Sequence, residues 1–204
     1  MRRSRTATLA CAAIFSVLVG FGIASAQSSS SSRDTQRQPP PSARSDASRK
    51  QNAAQPAGDK DFVAQAALAN MAEIQLGHLA VKKALHANVK AFAQRMIDDH
   101  VKVQKELADA AAGAGIQWPT QLDEAHRQLQ KRLSTLSNEK FDHEYMKAMV
   151  DGHRDLEKML AGAPKSEDSP LAAKVNQWAA KTLPGVRAHL KEAEQVYGEL
   201  ERAE

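Results

Sequence analysis

Two short stretches carry the same grouping of thioether, carboxylate and imidazole: MIDDH at 96–100 and MVDGH at 149–153. In each, the histidine follows the methionine by four residues, so in a helix both side chains project from one face. An imidazole on an inward face has two chemical uses. It coordinates a transition metal through an unprotonated ring nitrogen, or it closes a buried hydrogen-bonded network that locks helix register. Glu73 and His189 also stand on apolar stripes. Glu73, His100, His153 and His189 are therefore the candidate metal ligands, and a divalent ion such as Fe, Mn or Zn is the expected cofactor if the cluster is more than a network. No catalytic residue is assigned. HExxH, GxSxG and Gly-rich phosphate loops are absent, and the serine run at 28–32 lies in a segment poor in apolar residues.

These side chains need helices to position them. From Asp61 onward the chain is rich in Ala, Leu, Lys, Gln and Glu, with prolines only at 119, 164, 170 and 184. These are helix formers with breakers as punctuation. The spacing predicts helices over 61–86, 88–112 and 138–161, a shorter helix near 121–135, and a final helix from 170 that breaks near Leu183-Pro184-Gly185. Their inner faces follow a three-and-four step. Phe62, Ala66, Ala69, Glu73, Leu76 and Ala80 form the first stripe. Val89, Phe92, Met96, His100, Val103 and Leu107 form the second, and Asp142, Met146, Met149, His153, Leu156 and Leu160 the third. Val186, His189, Ala193, Val196 and Leu200 form the last. The fold class is thus all-α: a four-helix bundle with an extra short helix in the connection and a Pro-broken last helix.

Counting from the expected turn at Leu85–Asn88 sets Glu73 and His100 at one level, with His153 near the middle of its own helix. Counting through 163–170 sets His189 opposite Asp142. These two are either a second polar pair, or His189 joins the central set. Asp98, Asp99, Asp151 and Asp155 flank the histidines and are candidates to orient their second nitrogens, Asp99 among them. His78 falls at a rim, and His86, His126 and His143 at exposed positions. Trp118 and Trp178 read as core anchors.

The N-terminal part has a different composition. Arg2, Arg3 and Arg5 precede an apolar run from Leu9 to Ile23 and then Ala24-Ser25-Ala26, the pattern of a secretory signal peptide over 1–26. The run is too short for a permanent membrane anchor. Residues 27–60, with their serine run and QPPPS, read as a disordered spacer whose positive charge offers at most weak contact with an anionic envelope surface. The sole cysteine, Cys11, lies in the apolar run, so no disulfide or thiolate metal site is expected beyond it. The net charge of +4 likewise belongs to the N-terminal segments, leaving 19 basic against 21 acidic residues over 61–204. Nucleic acid is therefore not an expected partner. The expected location is periplasmic or secreted, with outer-membrane association as a variant.

The stretches EIQLGHLAVKKALHANVKAFAQRMIDDHVKVQKEL, WPTQLDEAHRQLQKRL, FDHEYMKAMVDGH and LPGVRAHLKEAE resemble the exported bacterial domain-of-unknown-function family 4142. The resemblance spans nearly all of 60–200 and implies a ferritin-like bundle. Its motif falls here on Glu73, His100, Phe141, Asp142, Tyr145, His153, Pro184, His189 and Leu190, which adds Tyr145 to Asp142 and Asp99 as residues supporting the site. The chain departs from di-iron ferritin relatives, which carry Glu-x-x-His on two helices. Ile97 and Val150 stand three residues before His100 and His153, which argues against a standard ferroxidase. The expected function is that of an exported, periplasmic bundle protein of unassigned biochemical role, whose inward Glu/His cluster is either a hydrogen-bonded network or a site for a divalent transition metal. The alternatives are a metal-dependent oxidoreductase or peroxide-handling enzyme, and a metal-free envelope interaction module.

Overall fold

A computed structural model describes residues 58–164 and 169–203, and breakers and caps divide these into five helices. They are α1 (Asp59–Lys83), α2 (Ala87–Ala110), α3 (Glu124–Ser134), α4 (Asn138–Ala161) and α5 (Pro170–Glu201). The signal peptide and nearly all of the spacer fall outside the described residues. Asp123 caps α3 by accepting from the His126 N–H, and Ser169 caps α5 by accepting from the Ala172 N–H, with Pro170 in the first turn where no donor is needed.

Two antiparallel hairpins make the bundle: α1 with α2, and α4 with α5. Asp142, at the start of α4, accepts hydrogen bonds from the backbone N–H groups of Leu85 and His86 in the α1–α2 turn. The start of α4 and that turn therefore share one end of the bundle. The 111–137 connection, with α3 inside it, must carry the chain back along the full length of the bundle. α4 consequently runs parallel to α2, the single long crossover of ferritin-like bundles. Gly77 permits close approach within the first hairpin, since a Cβ there would lie 2.8 Å from Ile97 Cγ1 and 3.1 Å from the Ala93 carbonyl oxygen.

The core has two apolar ends and a polar waist. At the turn end, Leu76, Phe92, Met96, Phe141, Met146 and Val196 pack together. At the other end are Phe62, Leu107, Leu160, Val175, Trp178 and Val186, with Phe62 meeting Trp178 edge-on at 6.5 Å. Each such side chain contributes about 1.5–3 kcal/mol on burial. Between the two ends lie Asn70, Glu73, His100 and His153, all buried.

Three expectations require correction. The last helix is not broken: α5 continues through Pro184. Pro184 has no N–H to give the Ala180 carbonyl, a cost of about 3 kcal/mol. However, Val175, Trp178 and Ala179 before it and Val186, Ala193 and Val196 after it are all buried, so both halves are held against the core and the helix continues. Trp118 is no core anchor but stands 37% exposed, whereas Trp178 is buried with its indole N–H donating to the Val103 carbonyl. His86, His126 and His143 are half-buried rather than exposed, because each lies against a neighbouring element or cap; His126 meets Asp123 and His143 meets Glu201. His78 is exposed.

Candidate metal centre

α2 and α5 are zipped in one antiparallel register. Asn88 bonds Glu199, Arg95 bonds Glu192, Asp99 bonds His189 and Glu106 bonds Lys181. Exposed pairs of this kind add little stability. What they fix is level, and they place His189 beside His100. Of the two placements open for His189, the structure takes the second: Asp142 serves the α1–α2 turn, and His189 joins the central set. Residue counting could not choose between them because the α4–α5 connection is not a tight symmetric turn. His153 is about two turns from the end of α4, while His189 is about five turns from the start of α5.

The three imidazoles form a nearly equilateral group. Ring centroids are 5.7 Å apart for His100–His153, 5.7 Å for His100–His189 and 5.6 Å for His153–His189. A ring nitrogen from each lies within 4.8 Å of the other two.

The outward nitrogens determine the protonation of the inward ones. His153 Nδ1–H donates to the Met149 carbonyl at 2.9 Å, and His189 Nε2–H donates to Asp99 Oδ2 at 3.1 Å. Both partners are pure acceptors, so those nitrogens carry the hydrogens. His100 Nδ1 lies 2.8 Å from Asn70 Oδ1, and with the amide oriented this way it is again the donor. The remaining nitrogens, His100 Nε2, His153 Nε2 and His189 Nδ1, are buried and have no hydrogen-bond partner. Each is then a bare lone pair, the form that coordinates metal.

Electrostatics favour the same neutral state. Burial, followed by the neighbouring His153 and His189, pushes the His100 pKa down to about 3. Burial and His153 lower that of His189 as well, against the opposing pull of Asp99. Asp99 is pushed up by partial burial, but hydrogen bonds from Lys102 and His189 outweigh this and hold its carboxyl below the usual range.

Glu73 occupies a different place from the one residue counting suggested. Its Oε1 is 3.9 Å from His153 Nδ1, on the side of the ring away from the three free nitrogens, and its Oε2 has no partner. Burial raises its pKa against the opposing pull of His153 and His126. The residue level with His100 is Asn70. The turn lies between Lys83 and Ala87, earlier than expected, which moves the partner of His100 back by one helical turn. Asn70 had a signal in the sequence, since it stands three and four residues from Glu73 and Ala66 on an otherwise apolar stripe. Gly152 was also missed: a Cβ there would come within 3.0 Å of Glu73 Oε1. Tyr145 is fully buried with an unpartnered hydroxyl, and burial followed by the charge of Glu73 raises its pKa well above the usual phenol range. Of the four flanking aspartates, Asp99 touches a histidine. Asp98 and Asp155 bond Gln94 and Lys158, and Asp151 bonds Lys147.

The donor set suits a transition ion. Nitrogens around a tetrahedral zinc stand about 3.3 Å apart, so modest side-chain rotation would close the triangle. No helix among the described residues is long and apolar enough to cross a membrane. In comparisons with known proteins, a family model described as a domain of unknown function, DUF4142, matches residues 44–196. No curated protein and no solved structure matches the chain.

Proposed function

Because the chain belongs to the DUF4142 family, whose description carries no activity, we propose its function from the site alone: it binds a transition-metal ion at mid-bundle through His100, His153 and His189. The observation that carries this reading is the set of three buried, unpartnered ring nitrogens facing one another, each lone pair directed inward by a hydrogen bond from the opposite nitrogen. A register-locking network would direct hydrogens into that space, whereas three buried lone pairs facing one another repel unless a cation lies between them. Asn70, the Met149 carbonyl and Asp99 act as supports, not ligands. Three protein ligands leave a further coordination position, the arrangement that distinguishes reactive from purely structural zinc sites.

The metal-binding bundle is read as an exported protein, supported by the arginines, apolar run and Ala24-Ser25-Ala26 of the N-terminus. N-terminal sequencing of protein from the cell envelope should begin at or near Gln27.

Metal analysis of protein purified without a histidine tag or chelating resin tests the central reading. A bound first-row metal at about one per chain is expected, with chelation lowering the melting temperature by mass action. His100→Ala and His153→Ala should each abolish that response, while His78→Ala should keep it. An unchanged melting curve with and without chelator and added metal would overturn the assignment.

A further inference from the structure

Three buried imidazoles need a path by which an ion reaches them, and the four seams of the bundle differ in what they offer. The α1–α2 seam is closed by the contact of Gly77 with Ala93 and Ile97. The α4–α5 seam is closed by close helix packing and by Arg154–Glu194 and Glu157–Arg187. The α2–α5 seam brings Asp99 near the surface, but its oxygens already accept from His189 and Lys102, and Arg95 pairs with Glu192 across the same seam. The α1–α4 seam is the most lightly packed of the neighbouring pairs.

Glu73 lies in that last seam, buried, with Oε1 in the space left by Gly152 and Oε2 without a partner. Over it lies α3, which has one fully buried side chain, Leu133, and is otherwise held by peripheral contacts: Gln130 to Gln75 at 3.3 Å, Lys83 to the Ser134 carbonyl at 2.7 Å and Arg132 to Glu144 at 3.9 Å. These contacts run in the same order along α1 and α3. His126, one turn before Gln130, thus falls near the level of Glu73 and pairs at the half-exposed rim with Asp123 at 2.6 Å.

We infer that a cation reaches the three imidazoles through the α1–α4 seam beneath α3, taken first by the rim pair His126 and Asp123 and then by Glu73, which stands at the edge of the His153 ring. This rests on the metal-binding reading above. Glu73 is then a transit ligand. An unpaired buried carboxylate is costly unless it is used, and this one stands beside His153 yet outside the final donor set. The electrostatic pull of His126 on Glu73 agrees with their placement on one path.

A transit ligand lowers the barrier in both directions and leaves the end states alone. Stopped-flow absorbance with cobalt(II) as the probe, loading the protein and then unloading it with excess chelator, separates this role from coordination. Glu73→Gln, nearly isosteric, should slow loading and release together by about tenfold or more, the scale on which a focused charge raises on-rates, with Kd unchanged. The rim substitution His126→Gln, which carries little folding risk, should slow both in the same sense and by less. Two outcomes overturn the transit role: loading by both variants at the parent rate, or a weakened Kd in Glu73→Gln with loading unchanged, which makes Glu73 a resident ligand. Failure of the parent protein to bind cobalt would instead overturn the metal-binding reading itself.

Discussion

MIDDH on α2 and MVDGH on α4 share methionine, an aliphatic residue, aspartate and histidine, and the structure puts the shared residues to matching use. Met96 and Met149 fill the core, Asp98 and Asp151 take partners on the surface, and His100 and His153 turn a nitrogen toward the same point. The copies part at one position. Asp99 reaches across to α5 and holds His189, whereas Gly152 is the gap that admits Glu73 from α1. Their histidines also rely on different acceptors: the Asn70 side chain for His100 and the backbone of Met149 for His153. Spacing therefore places an imidazole, but the neighbouring helix decides what supports it.

The largest effect should come from acid, through the His100 copy. The folded-state pKa of His100 lies near 3, below the 6.5 of the free side chain, so on acidification the unfolded chain takes up the proton first. Its contribution to stability is complete above about pH 6.5 and is lost as pH falls toward 3, on the order of 4 kcal/mol for metal-free protein. Glu73, whose pKa is raised, works in the opposite sense and gives back stability as pH falls into its own range. Urea unfolding across pH 3–7 should show this loss, and His100→Gln should flatten it. A slope unchanged by His100→Gln would show that the acid sensitivity resides elsewhere.

Exchanging the divergent position comes next. Asp99→Ala removes the acceptor that orients His189 and should weaken metal binding about 10–100-fold, with little change in the metal-free melting curve. Gly152→Ala should do the reverse. Its methyl meets Glu73 Oε1, so about 1–3 kcal/mol of stability is lost to overpacking. Equal effects of both substitutions on both measurements would erase the distinction between the copies.

The smallest expected effect belongs to Asp142, the residue first set opposite His189. Asp142→Asn keeps its shape but weakens charge-assisted bonds to the Leu85 and His86 N–H groups, costing about 1–2 kcal/mol while leaving the metal response in place. Loss of that response would return Asp142 to the site.

The bundle, its five helices and three inward histidines were readable because apolar periodicity is a local signal. Level across the bundle was not, because it depends on where each turn falls. An error of about one and a half residues at the α1–α2 turn exchanged Asn70 for Glu73, one helical turn apart on the same face. The α4–α5 connection likewise left two placements open for His189. Pro184 was read as a break because its local cost is visible in sequence, while the apolar contacts on both sides of it that keep α5 helical are long-range. Gly152 gave no signal, since its meaning lies in a carboxylate far away in the chain.

The long crossover also divides the ligands and the residues that support them. Asn70, Glu73, Asp99 and His100 belong to the first hairpin, and His153 and His189 to the second. Neither hairpin alone could hold an ion with three imidazoles, so an ion bound there would act as a fastener between two halves that are each contiguous in sequence. A chain nicked in the 111–123 segment would still contain every ligand, now on two fragments. Their reassembly would become metal-dependent, and the concentration of free ion would set how much of the bundle exists.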